Sequence, residues 1–130
     1  FEPKSEHGST FGGNVLTCAA AHASTQFIIN NEIPAKADDM GKYLMGKLLD
    51  LKETHSLITE VRGVGLLIAV EFNREISANL LTYCNQLGLL LNAPKPTAIR
   101  LMPPLTISKQ EVDIGIQRLE SGILKAQKES

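Results

Sequence analysis

The spacing of apolar residues divides the chain into four helical and four extended segments. Between residues 34 and 53, apolar side chains recur every three or four positions, which places them on one face of an α-helix. Capping residues, β-branched runs and glycine or proline stops delimit the other segments. The predicted elements are helices at 15–29, 34–53 and 74–88, strands at 58–61, 66–72, 89–92 and 98–102, and a last helix that begins at a Ser108–Glu111 capping box.

This order of elements predicts an α+β fold. The strands come in two pairs without long crossovers, which favours a small, mainly antiparallel sheet covered by helices on one face. The glycines of the segment "RGVG" at 62–65 are expected to form a bend or bulge between the first two strands, ordered by Glu60 and Arg62. We expect three parts: a loop at 1–13, a connecting helix at 14–32 and a small α+β domain at 33–130.

The first helix differs from the others because it is apolar on nearly all sides. Leu16, Cys18, Ala19 and Ile28 lie on different faces of it, and such a helix is expected to be buried on several sides. The rest of the chain is too small to provide that cover. We therefore expect the chain to be part of a larger protein.

Composition narrows the possible functions only slightly. The chain has 130 residues, 43% of them hydrophobic, and a formal net charge of -1. This balance offers no basic surface for nucleic acid or an anionic membrane, and no apolar run reaches the roughly 20 residues needed to span a bilayer. Cys18 and Cys84 are expected to be buried, reduced thiols of a cytoplasmic protein rather than a disulfide. His22 and His55 lack partners at metal-ligand spacing, so we expect no metal site.

Two features suggest binding chemistry. The stretch "HGSTFGGN" at 7–14 combines glycines with hydroxyl groups, a composition that can hold an anion, although it could also simply cap the next helix. Arg100 lies between the apolar residues Ile99 and Leu101, and its planar guanidinium could bind a carboxylate through two hydrogen bonds. It could equally extend from a strand edge or pair with a structural glutamate.

Four segments together resemble a known family. In order and spacing, "HGSTFGGN", "EVRGVGLLIAVEF", "LGLLLN" and "IRLMPPLTISKQEVD" resemble the C-terminal portion of class III aminotransferases, and most closely the acetylornithine and ornithine aminotransferase branch. These are fold-type-I enzymes that use pyridoxal 5'-phosphate. The resemblance implies that the loop at 1–13 ends the large domain and that Thr10 binds the cofactor phosphate of the neighbouring subunit. It also implies that Ser9 lies beside cofactor and substrate, and that Arg100 binds the substrate's α-carboxylate.

The resemblance also indicates what the chain lacks. In the family, the Schiff-base lysine precedes the "HGST" segment, and Lys4 lies in a sequence context unlike that of the family's lysine. We therefore expect no catalytic residue in these 130 residues and no activity from them alone. The implied full-length protein is a cytoplasmic homodimer that transfers the ω-amino group of N-acetylornithine to 2-oxoglutarate in arginine biosynthesis. Alternatives are an aminotransferase for ornithine or 4-aminobutyrate, or a non-catalytic α+β interaction domain.

Overall fold

The computed structural model describes Gly8 and residues 10–128 of the chain. Lys4 and the candidate site residue Ser9 lie outside the described residues. The chain divides into two compact units, Phe1–Ile33 and Pro34–Ser130. The helices and strands are α1 (Val15–Asn30), α2 (Ile33–Thr54), β1 (Ile58–Val64), β2 (Leu67–Phe72), α3 (Ser77–Gln86), β3 (Asn92–Lys95), β4 (Ala98–Leu101) and α4 (Lys109–Lys128).

Helix α1 begins at Val15, as predicted, because Asn14 caps it. The Asn14 side-chain oxygen accepts hydrogen bonds from the backbone N–H groups of Leu16 and Thr17 at 3.0 and 3.2 Å. Every residue of α1 is described and none is buried; Leu16, Phe27 and Ile29 are 79%, 52% and 62% exposed. The expectation that α1 is buried by further protein therefore stays a prediction.

The second unit contains an antiparallel sheet with the strand order β1-β2-β4-β3. One face of the sheet packs on the helices: Ile68 and Val70 of β2 share a buried core with Leu48 of α2, Leu80 of α3 and Ile123 of α4. Alternate residues of a strand point to opposite faces, so the odd-numbered residues of β2 stand on the other face, which we call the outer face. The predicted α+β fold with an antiparallel sheet is confirmed.

The prediction of a bend at residues 62–65 is wrong for residues 62–64. Strand β1 continues to Val64, and only Gly65 and Leu66 form the turn to β2. Gly65 has a φ of 54°, a left-handed conformation that glycine adopts at little cost, so a two-residue turn suffices and Arg62 becomes a strand residue. The irregular pairing that marks a bulge lies instead between Ile58 and Glu60.

The strand predicted at 89–92 is displaced. Leu89 donates its backbone N–H to the Cys84 carbonyl at 2.8 Å, which ties residues after α3 to the end of that helix. Strand β3 starts only at Asn92 and contains Pro94. Proline has no N–H to donate and is confined largely to edge strands, and β3 is an edge strand here.

The capping box of the last helix is confirmed. The Ser108 backbone N–H donates to Glu111 Oε2 at 2.8 Å, and the Glu111 N–H donates to Ser108 Oγ at 3.3 Å. Among the helices of the described residues, none has the length and apolar character required to cross a membrane.

The prediction that both thiols are buried is half right. Cys84 is fully buried, and its burial raises the pKa of the thiol to about 11. Cys18 is exposed because α1 buries none of its faces, and neither cysteine forms a disulfide.

Candidate functional site

Two arginines stand on the outer face of the sheet with an alanine between them. Arg62 of β1 pairs with Ala69 of β2, and Ala69 pairs with Arg100 of β4. Directly opposed residues of neighbouring strands point to the same face, so all three side chains lie in one row across the sheet. The short Ala69 side chain leaves space between the two guanidinium groups.

This space is an open depression of about 320 Å³. It lies along the β1–β2 hairpin, and its charged side chains are those of the two arginines. The lining residues are Arg62, Gly63, Val64, Leu67, Ile68, Ala69 and Arg100. Such a site, apolar with two cationic groups, suits a small molecule that carries a carboxylate.

Of the two arginines, Arg100 is the one with a buried donor that lacks a hydrogen-bond partner among the described residues. Its side chain is half-buried, and its Nε atom is buried without a hydrogen-bond partner in the part of the chain that the structure describes. Buried polar atoms are normally paired, and the Nε edge of a guanidinium can donate two parallel hydrogen bonds to one carboxylate. Arg100 therefore has one buried donor that the described residues leave unpaired.

Arg62, in contrast, already binds two carboxylates. Its Nη2 lies 2.7 Å from Glu71 Oε1, and its Nη1 lies 3.1 Å from Glu60 Oε2. The hydrogen bond from Arg62 lowers the pKa of Glu71, with a smaller contribution from the charge of Lys95. The neighbouring Glu60 can be associated with Arg62 from the sequence, whereas Glu71 is identified as its partner only by the register of β1 against β2.

The glycine-rich loop presents Thr10 in the first unit. Residues 10–13 form a turn in which the Asn14 N–H donates to the Phe11 carbonyl at 3.3 Å and Gly13 adopts a φ of 77°. Thr10 is exposed, and its hydroxyl bonds to no other residue among those described. An exposed hydroxyl beside a glycine-rich turn fits the phosphate end of a cofactor. Thr10 and Arg100 belong to different compact units.

The buried histidine of the second unit lies beside a carboxylate. His55 is buried, with Nε2 at 3.2 Å from Glu120 Oε1. Within Gly8 and 10–128, no three His, Cys, Asp or Glu side chains are grouped as metal ligands would be.

The chain is similar to known aminotransferases. Residues 1–123 match the family model "Aminotransferase class-III". The acetylornithine aminotransferase of Methanothermobacter thermautotrophicus is 38% identical over 119 residues, which are 92% of this chain and 30% of that protein. The ornithine aminotransferase of a Geobacillus species is 42% identical over 123 residues, covering 92% of this chain and 29% of that protein.

A solved structure agrees with these relatives. The crystal structure of acetylornithine aminotransferase from Elizabethkingia anophelis matches 96% of this chain and 33% of its own, with a TM-score of 0.85 and 34% identity. The chain thus spans about 30% of the length of the curated relatives named above. Because the family match extends over nearly all of its residues, the chain belongs to the class III aminotransferases.

Proposed function

We propose that the full-length protein is a pyridoxal 5'-phosphate-dependent aminotransferase that transfers the ω-amino group of N-acetylornithine to 2-oxoglutarate. The observation that carries this proposal is Arg100, whose buried Nε has no partner among the described residues and which faces the depression on the outer face. Family membership supports the reaction class, and the similarity to acetylornithine aminotransferases supports the donor.

Arg100 would orient the substrates of both half-reactions. N-acetylornithine and 2-oxoglutarate both carry a carboxylate at the end of an aliphatic chain. Two parallel hydrogen bonds from a guanidinium fix both the position and the plane of a carboxylate, whereas a lysine would supply only a point charge. Leu67 and Val64 in the same depression would contact the aliphatic part and exclude water from it.

Thr10 and Ser9 are the residues of this chain that would contact the cofactor. We propose that the Thr10 hydroxyl donates to the phosphate held in the neighbouring subunit of a homodimer and that Ser9 lies beside cofactor and substrate. When bound, pyridoxal 5'-phosphate carries the amino group between the half-reactions and provides the electron sink. The exposure of Thr10 supports this role. The groups that would hold the rest of the cofactor are not among the described residues, and the cytoplasm is the proposed location.

Ornithine is the second candidate donor. It is favoured by the ornithine aminotransferases that are 40% and 42% identical to this chain. The two donors differ at the α-amino group, which is acetylated in one and cationic in the other.

A donor assay on the full-length protein tests the proposal. With 2-oxoglutarate as acceptor, glutamate formation should be more efficient from N-acetylornithine than from ornithine or 4-aminobutyrate, by at least about tenfold in kcat/KM. A preference for ornithine would replace the donor and keep the reaction class. No transfer from any of the three would overturn the proposal.

A further inference from the structure

Arg100 has a small neighbour on one side and a larger, polar neighbour on the other. The row of residues that crosses the outer face extends to β3, because Asn92 of β3 pairs with Arg100. In the order of the strands, the row contains Arg62, Ala69, Arg100 and Asn92. A ligand could therefore approach the Arg100 side chain from two directions, over Ala69 or over Asn92.

The open space lies on the Ala69 side of Arg100. Both residues line the depression of about 320 Å³, whereas Asn92 is not among its lining residues. Ala69 is half-buried, and its two neighbours along β2, Ile68 and Val70, are buried in the core. Because side chains alternate along a strand, the methyl group of Ala69 points away from the core. A longer side chain at position 69 would therefore occupy the depression.

Arg62, at the other end of this space, is held by carboxylates. Its guanidinium donates to Glu60 Oε2 at 3.1 Å and to Glu71 Oε1 at 2.7 Å. These two glutamates pair with each other in the next row of the sheet. The row on the opposite side consists of Val64 paired with Leu67, and both residues line the depression. A ligand in the depression thus has carboxylates on one side and apolar side chains on the other.

We propose that Ala69 is a specificity-determining residue: the substrate carboxylate reaches Arg100 over the Ala69 methyl group, from the β2 side, and the small size of this side chain keeps the path open. The inference rests on the proposed role of Arg100 and adds the direction of approach and the residue that limits the size of the ligand. The aliphatic part of the ligand lies toward Leu67, because the opposite direction leads to the glutamate row.

The size of the effect follows from the space that a larger side chain would take from the ligand. One extra methylene group in an apolar pocket changes selectivity by roughly 10- to 200-fold. Ala69→Leu adds three carbon atoms and Ala69→Val adds two. The affinity for a carboxylate ligand should therefore fall as the side chain at position 69 becomes larger.

The experiment measures glutarate binding to the full-length holoenzyme by calorimetry, together with KM and kcat for 2-oxoglutarate. Glutarate has two carboxylates but no carbonyl group to accept an amine. Ala69→Leu should raise the glutarate Kd and the 2-oxoglutarate KM by at least about tenfold, and Ala69→Val should raise both by less. The value of kcat should change less than KM, because the substitution acts on the entry of the carboxylate.

Asn92→Leu is the matched control, because it gives Arg100 a leucine neighbour on the same face but outside the depression. Any general effect of an apolar neighbour on the Arg100 charge is then present in both leucine variants. Only Ala69→Leu fills the proposed path, so the glutarate Kd of Asn92→Leu should stay close to that of the unmodified protein. The absorbance of the bound cofactor and the unfolding temperature show whether each variant is folded.

Two results would overturn the inference: an unchanged glutarate Kd in the Ala69 variants, or an equal rise in Ala69→Leu and Asn92→Leu. If Ala69→Leu does not fold, Ala69→Val gives the decision. Arg100→Ala, measured in parallel, keeps the two proposals apart. If Arg100→Ala leaves glutarate binding unchanged, the proposed role of Arg100 fails; if it weakens binding while the Ala69 variants have no effect, the inference alone fails.

Discussion

At the scale of single residues, the proposed role of Arg100 in binding the substrate carboxylate leads to a kinetic prediction. In the full-length enzyme, Arg100→Ala should lower kcat/KM for both the amino donor and 2-oxoglutarate by about 30- to 4,000-fold. This range corresponds to the roughly 2–5 kcal/mol lost when a buried charged pair loses one partner. The kcat/KM of Arg100→Lys should lie between those of the unmodified enzyme and Arg100→Ala, because lysine keeps the charge but cannot form the two parallel hydrogen bonds of a guanidinium. Steady-state kinetics test this, and a change within about threefold would favour a structural arginine.

A change at Thr10 is expected to affect binding of the cofactor rather than of the substrates. Thr10→Ala removes one hydrogen bond to a charged phosphate, which should weaken cofactor retention by about 10- to 150-fold. The KM values of the substrates should change little, because Thr10 is proposed to contact only the cofactor. Cofactor release during dialysis, followed by absorbance, is the measurement. Loss of substrate affinity with unchanged cofactor retention would contradict the assignment.

Gly41 and Gly46 of α2 form a matched pair for a stability prediction. A Cβ on Gly41 would lie 2.7 Å from Gly65 Cα, whereas a Cβ on Gly46 would have no neighbour within 4 Å. Gly41→Ala should lower the free energy of unfolding by about 1–3 kcal/mol, because the β1–β2 turn must move. Gly46→Ala should raise it by about 0.5–1 kcal/mol through better helix propensity. Urea unfolding of the chain measures both, and equal effects would contradict the close contact.

At the scale of elements, α4 depends on its capping box in a pH-dependent way. The hydrogen bonds from Ser108 lower the pKa of Glu111 below its ordinary value. A carboxylate whose pKa is lowered by folding stabilises the folded state above its unfolded pKa, near 4.5, and this contribution is lost as the pH falls through the lowered value.

The stability difference between the unmodified chain and Glu111→Gln should therefore be present at pH 6 and shrink as the pH approaches 3. Unfolding curves across this range provide the measurement. Glu53→Gln is a suitable control, because Glu53 is exposed near the end of α2. If the stability difference between the unmodified chain and Glu111→Gln does not depend on pH, the charge of Glu111 does not contribute to the cap.

The elements also show what the sequence could predict. Helix positions followed from local signals: the Asn14 cap, the Ser108–Glu111 box and the apolar stripe of α2 are all properties of neighbouring residues. The end of β1 and the start of β3 did not, because they depend on which residues pair across the sheet. The apolar neighbours of Arg100 left a binding and a structural role equally open, and only the family resemblance favoured binding. Its separation from Arg62 by Ala69 and the position of Glu71 follow from strand order and register.

At the scale of the whole molecule, α1 is the helix whose apolar side chains remain unburied. It exposes Leu16, Phe27 and Ile29, an amount of apolar surface that soluble monomers rarely leave free on one helix. The chain on its own should therefore bind a hydrophobic dye and associate as its concentration rises. Phe27→Ser with Ile29→Ser should reduce both effects.

Dye fluorescence and sedimentation velocity measure these effects. Leu90→Ser is the control, because Leu90 is 83% exposed but lies outside α1. A monomer that binds no dye would contradict the prediction, and so would an equal response to the Leu90 change.

Pro94 has a consequence for the kind of aggregate this chain can form. An edge strand with free N–H groups can recruit another extended chain, and repeated recruitment produces fibrils. In β3, Pro94 removes one of these donors and Lys95 adds a charge; on the opposite edge, β1 carries Glu60 and Arg62. Both edges of the sheet thus oppose growth by strand addition. Association through α1 would be contact between helices, which dilution reverses, and amyloid-like growth from the native sheet is disfavoured.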